Sequence, residues 1–208
     1  MEDRKLNILK RAGELYLKFG INSVTMDHVA HELGISKKTL YQYFKNKADL
    51  VSQVVDFYLE NPVFSLNDFE NGNAIDRYID LRTHIANVLK YYHNNLETDL
   101  KKRYPKLYRK IQKNKREKIY SNTVDNLKEG IRTGLYRSDL DIDFVAKLQV
   151  GRMLLTLNPA NNIFTSAELS NIELFDKIQE YHMYSICTDA GRKYFQKQLN
   201  NIKNEVKN

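Results

Sequence analysis

The chain has 208 residues, 42% of them hydrophobic, with 33 Lys and Arg against 26 Asp and Glu and a formal net charge of +7. That length and composition suffice for a buried core, as one domain of moderate size or as a small domain attached to a larger one. The single cysteine, Cys187, excludes an internal disulfide framework and a multi-cysteine zinc site and is expected to pack in the core. The start MEDRKLNILK lacks an apolar signal region, and no run reaches the ~18 uncharged apolar residues of a membrane span, so a soluble, cytoplasmic protein with no membrane partner is expected. The basic balance favours a polyanion without choosing which one.

Apolar residues recur at spacings of three and four, sustained alternation is almost absent, and three prolines and eight glycines are the main breaks, so the expected fold is all-α. Ile8, Ala12, Leu15, Tyr16 and Phe19 form one stripe, with Gly20 placed for a C-terminal cap. Thr25 stands where an N-cap belongs, ahead of Val29, Ala30 and Leu33; Gly34 ends this second helix and Ser36 begins a third. Two short helices joined through Gly34, Ile35 and Ser36 have the layout of a helix-turn-helix. At about 100° per residue, Leu40 and Phe44 share one face while Lys38, Thr39, Tyr41 and Gln42 fan across the other, with Lys37 and Tyr43 at its borders. Lysines neutralise phosphates and donate to guanine edges, a threonine methyl meets a thymine methyl, and tyrosine hydroxyls reach phosphate oxygens. Lys47 opens the next helix, where its ammonium and the neighbouring backbone N–H groups can hold a phosphate. The plainer reading of Lys37, Lys38 and Lys45 is a solvated helix face.

The run TMDHVAHELGISKKTLYQYFKNKADL resembles the N-terminal DNA-binding domain of TetR/AcrR-family transcriptional regulators. That pattern has a Thr-capped helix, an Ala-x-x-x-Gly-[Val/Ile]-Ser turn and Thr-Leu-Tyr-x-x-Phe-x-x-Lys. Ala30, Gly34, Ile35, Ser36, Thr39, Leu40, Tyr41, Phe44 and Lys47 stand at the matching places, and the Phe19-Gly20 end of the first helix also fits. Carried over by position, the resemblance implies DNA contacts from Thr25, Ser36, Lys37, Lys38, Thr39, Tyr41, Tyr43 and Lys47. Lys38 departs from the small residue of many relatives and can add a phosphate or base contact. The division expected is a three-helix helix-turn-helix domain over 1–48 and a larger helical effector-binding and dimerisation bundle over 49–208.

Metal readings fail on spacing. HELGI begins like H-E-x-x-H but has Ile35 where the second ligand must stand, and the His28/His31 pair lacks a third ligand nearby. A fourth helix carrying Leu50, Val54, Val55, Phe57 and Tyr58 should run to Asn61-Pro62, followed by the loop PVFSLNDFENGN and an amphipathic helix from Ala74 to Tyr92. Residues 101–118 hold ten Lys and Arg against one acid, read as a solvated helix face or a secondary anion-binding surface, with Pro105 suited to a first turn and the stripe Tyr120, Val124, Leu127 and Ile131 beyond. Two late helices are expected, Asp141 to Leu157 and Ser170 to Ile186, separated by the loop NPANNIFTS. The second is apolar on two sides, Leu174, Ile178 and Tyr181 on one and Ile172, Phe175 and Ile186 on the other, which calls for a core and a partner, hence a homodimer. Thr188 caps a final helix.

These features predict a DNA-binding regulator without catalytic residues, metal or cofactor. The resemblance implies a ligand-responsive repressor that binds a palindromic double-stranded DNA operator as a dimer, with an unidentified small-molecule effector. Candidate effector-pocket residues are Tyr91, Tyr92, Tyr120, Phe144, Met153 and Tyr181, although aromatics and Met at helical spacing also serve as ordinary core. The competing readings are an architectural DNA-binding protein with no effector and a helical metal-dependent enzyme. The latter finds no Gly-rich phosphate loop and no nucleophile with an identifiable base.

Overall fold

The computed structural model describes residues 2–61, 72–89, 95–156, 158 and 161–205. Among them the chain is all-α, as expected, with no strand beyond an isolated bridge between Tyr136 and Cys187. In chain order the helices are α1 (Glu2–Phe19), α2 (Met26–Glu32), α3 (Lys37–Tyr43), α4 (Lys47–Glu60), α5 (Ala74–Leu89) and α6 (Asn95–Arg103). There follow α7 (Pro105–Arg132), α8 (Ile142–Gly151) continued by a π-helical turn (Arg152–Thr156), α9 (Ser166–Leu169), α10 (Ile172–Ile186) and α11 (Asp189–Glu205). None of the described helices is long and apolar enough to cross a membrane.

The chain divides into two compact units, one from residues 1–63 and 91–114 and the other from 64–90 and 115–208. The core of the first gathers Ile8, Ala12, Leu15 and Tyr16 of α1, Val29 and Ala30 of α2, and Leu40 and Phe44. Leu50, Val51 and Val54 of α4 complete it, so the packing unit is larger than the 1–48 segment that carries the helix-turn-helix. Leu100 is buried in the same core, and Leu96, Leu107 and Ile111 lie against it. The basic stretch 101–118 is therefore not solvated all round: its apolar residues pack while Lys101, Lys102, Arg103, Lys106 and Arg109 stay exposed. It also falls in two helices rather than one, because Pro105 opens α7 at the position where its missing N–H costs nothing. Asp99 accepts from the Asn22 N–H at 2.8 Å, and Lys110 pairs with Asp56 at 2.8 Å, each within this unit.

In the second unit Ala74, Ile75, Leu127, Tyr136, Met183, Ile186, Cys187 and Phe195 form the core. Gly130 makes room for the Tyr136 ring, since a Cβ there would stand 2.0 Å from a ring carbon. The Tyr136 hydroxyl donates to Asn126 Oδ1 at 3.0 Å, and Asn126 in turn donates to the Ala74 carbonyl at 2.7 Å. Cys187 is buried, as the sequence suggests, and burial pushes its thiol up to about 12, which leaves it inert at neutral pH. The late helices start at Asp141 and Asn171, whose side chains cap α8 and α10. Between the loop NPANNIFTS and the helix expected from Ser170 stands a further short helix, α9, fixed by a capping box between Thr165 and Glu168.

Among the described residues of this unit, three polar ones are buried: Gln149, Gln179 and His182. Burial, with a smaller contribution from the Arg152 charge, holds the His182 pKa down to about 3 from an ordinary 6.5. As pH falls from 6.5 toward 3 the unfolded chain takes up a proton that the folded chain refuses, so His182 lowers stability progressively across that window and has no such effect above it. The melting temperature of His182→Gln should accordingly fall less steeply on acidification than that of the wild type. Parallel curves would place His182 at an ordinary pKa in the folded protein.

Candidate nucleic-acid interface

Local chemistry sets the helix-turn-helix. The Thr25 side chain accepts from the His28 N–H at 3.1 Å and caps α2. At the other end the Ile35 N–H reaches the Ala30 carbonyl and the Gly34 N–H reaches the His31 carbonyl, each at 3.0 Å, which is the paired bonding of a Schellman motif. Gly34 takes φ +61°, a conformation in which a side chain is strained. Ile35 then packs on the core, and Ser36 caps α3 by accepting from the Thr39 N–H at 3.0 Å. These bonds aim α3 so that Leu40 and Phe44 are buried while Lys37, Lys38, Tyr41, Gln42 and Lys45 are exposed.

The eight residues carried over by position all lie in the first unit, in four states. Lys38 and Tyr41 face solvent, Tyr41 at 44% exposure. Thr25, Ser36 and Thr39 are exposed or half-buried but already engaged, with the Ser36 and Thr39 hydroxyls 2.8 Å apart. Tyr43 is half-buried against the core beside Phe44. Two lysines have partners that the spacing did not disclose. Lys37 pairs with Asp27 of α2 at 2.8 Å, a bond that raises its pKa. Lys47 donates from Nζ to the Asn22 carbonyl at 3.1 Å, and partial burial, then the Arg103 charge, lowers its pKa. Asn46 caps α4 by accepting from the Asp49 N–H at 3.0 Å, and Asp49 accepts from the Lys45 N–H at 2.8 Å. His28 packs its ring against Phe19, with centroids 5.7 Å apart.

Residues 8–54 match the family of bacterial regulatory proteins described as the tetR family. The segment that carries the helix-turn-helix is similar to the tetR family. The chain is 26% identical over 167 residues to YdeS of Bacillus subtilis (strain 168), an uncharacterized HTH-type transcriptional regulator, spanning 76% of this chain and 81% of YdeS. It is 23% identical over 152 residues to the HTH-type transcriptional repressor KstR2 of Mycobacterium tuberculosis, spanning 70% of this chain and 75% of KstR2. The crystal structure of a transcriptional regulator from Cytophaga hutchinsonii shares its fold at TM-score 0.68 and 17% identity, over 87% of this chain and 97% of that one. Residues 8–54 are thus similar to the helix-turn-helix segment of tetR-family regulatory proteins, and YdeS and KstR2 are named as HTH-type transcriptional regulators.

Of the six candidate effector-pocket residues, the four that the structure describes do not gather round one cavity. Tyr91 and Tyr92 lie outside the described residues. Tyr120 borders an open cavity of about 270 Å³ with Arg116, Glu117, Lys147 and Val150, and its hydroxyl donates to Asp143 at 2.8 Å. Met153 sits on the π-helical turn, where its sulfur accepts from Gln179 at 3.5 Å. Phe144 and Tyr181 point outward, 61% and 80% exposed, because their helices turn other faces to the core.

Proposed function

We propose that the chain is a ligand-responsive repressor that binds a palindromic operator as a homodimer, with Lys38 and Tyr41 reading the major groove and Thr25, Ser36, Lys37, Thr39, Tyr43 and Lys47 positioning α3 on the phosphates. The observation that carries the reading is the outward row of α3, two lysines, a tyrosine and a glutamine held clear of the core by Leu40 and Phe44. The Asp27 partner of Lys37 is exposed, so exchange of that ion pair for a phosphate has little desolvation to overcome.

Dimerisation is supported by the outer side of α8 and α10. Phe144, Leu148 and Leu155 follow one another at helical spacing and are each more than half exposed, as is Tyr181. Large apolar groups gathered in this way mark an association surface, and a two-fold pair would set two reading helices about 34 Å, or a multiple of that, apart. Repression agrees with the name of KstR2, and control by a small molecule is what the resemblance to the family implies. Selection of bound fragments from genomic DNA tests the reading: enriched sequences should be inverted repeats whose half-sites are separated by whole helical turns. Unpatterned enrichment would favour an architectural protein.

A further inference from the structure

Three helices of the second unit bring polar groups together inside it. Tyr78 and Arg82 lie one turn apart on α5, Gln149 and Arg152 on α8 and its π-helical turn, and Asp176, Gln179 and His182 along one side of α10. Arg82 holds Asp176 side-on, with Nε and Nη2 donating to the two carboxylate oxygens at 2.6 and 2.7 Å. Arg152 offers the same edge, yet among the described residues its buried Nε and Nη2 have no hydrogen-bond partner. The Tyr78 hydroxyl and Gln149 Oε1 are buried and unpartnered as well. The remaining amide atoms are engaged: Gln149 Nε2 reaches Gln179 Oε1, and Gln179 Nε2 reaches Met153, each at 3.5 Å.

The charges of this group leave a remainder of one. Asp176 is neutralised by Arg82. His182 is held neutral at physiological pH by burial, and the Tyr78 hydroxyl, protonated there in any case, has its pKa pushed further up by burial. Arg152, whose pKa burial lowers, keeps its charge because a guanidinium does not deprotonate in this range. A half-buried guanidinium with no acid beside it among the described residues costs folding free energy, a cost that ligand binding would offset. The π-helical turn that begins at Arg152 is itself a rare geometry concentrated at functional positions.

We infer that Arg152 anchors an effector site for a molecule bearing a single carboxylate, which its Nε and Nη2 grip side-on as Arg82 grips Asp176, with the Tyr78 hydroxyl donating to the same group and Gln149 Oε1 accepting from a polar hydrogen of the ligand. This rests on the ligand-responsive reading above and names the chemical class of the effector. One net positive charge matches a carboxylate monoanion, whereas a phosphate dianion would bury an uncompensated charge.

Thermal unfolding of the full chain tests it, with octanoate and benzoate as probes, their primary amides as neutral controls, and inorganic phosphate as the competing anion. At tenfold excess over the dissociation constant a carboxylate should raise the melting temperature by about 3–6 °C, and the amides and phosphate should not. Arg152→Met should melt no lower than the wild type in the absence of ligand and lose the response. Arg152→Lys, which keeps the charge but not the edge, should bind at least about tenfold more weakly. No rise with either carboxylate, an equal rise with the amides, a response that survives in Arg152→Met, or a fall in the ligand-free melting temperature of that variant would each overturn the site. Gel shifts with the same probes separate the two layers. Carboxylate binding through Arg152 that leaves DNA affinity unchanged keeps the site and sinks ligand-responsive regulation. Release of DNA by a neutral compound in wild type and Arg152→Met alike keeps the regulation and sinks the site.

Discussion

Phe44→Ala is expected to destabilise the first unit by about 3–5 kcal/mol and to abolish DNA binding. Phe44 is 1% exposed, ends α3, and meets the same core as Leu40, Leu50 and the α1 residues Ile8, Ala12 and Leu15. α3 has only seven residues and cannot persist alone, so its orientation depends on this tertiary contact more than on helix propensity. Removing the ring leaves a cavity under the helix that presents Lys38 and Tyr41. Thermal melting monitored by circular dichroism, together with a gel shift, would register both effects. Gln42→Ala, on the exposed side of the same helix, should change stability by no more than about 0.5 kcal/mol. Comparable destabilisation in the two variants would mean that α3 is not held as described.

Leu148→Glu should convert the protein to a monomer at micromolar concentration and weaken binding to a two-half-site duplex by about 10²–10⁴-fold, with little effect on binding to a single half-site. Leu148 is 56% exposed between Phe144 and the π-helical turn, so within one chain the substitution costs little, whereas in a two-fold interface it buries a carboxylate. Sedimentation velocity gives the first readout and a titration of the paired and single half-sites the second. A wild type that sediments as a monomer, or a variant that still sediments as a dimer, would remove this surface from the account.

The helix-turn-helix was legible because its determinants are local. Thr25, Gly34 and Ser36 each act on backbone groups within five residues, and Leu40 and Phe44 declare the buried side by spacing alone. What could not be read was held by partners distant in sequence. Lys47 opens α4 at a position suited to a phosphate, and the bond from its ammonium to the Asn22 carbonyl, 25 residues earlier, is not visible in the spacing. In and just before the basic stretch, charge density masks the series Leu96, Leu100, Tyr104, Leu107 and Ile111, whose spacing in threes and fours is the available sign of a packed side. The polar group around Arg152 was hidden for the opposite reason. A glutamine, an arginine or a histidine in an amphipathic helix reads as surface, and only the fold brings Arg82 to Asp176 across 94 residues. Phe144 and Tyr181 were weighed as pocket residues because an aromatic at helical spacing looks the same whether it faces inward or toward a second chain.

The central claim is that the outward side of α3 reads duplex DNA. Its most direct test is the affinity of wild type, Lys38→Ala and Tyr41→Phe for a duplex selected by the protein from random sequence, measured over a range of salt concentrations. The account predicts that each substitution weakens binding by about 1–3 kcal/mol, and that Lys38→Ala lowers the slope of log affinity against log salt by about one for each lysine contact removed. Unchanged affinity and slope in both variants, with the loss appearing instead when Arg109 and Lys113 are replaced by Ala, would move the DNA surface to α7 and contradict the account.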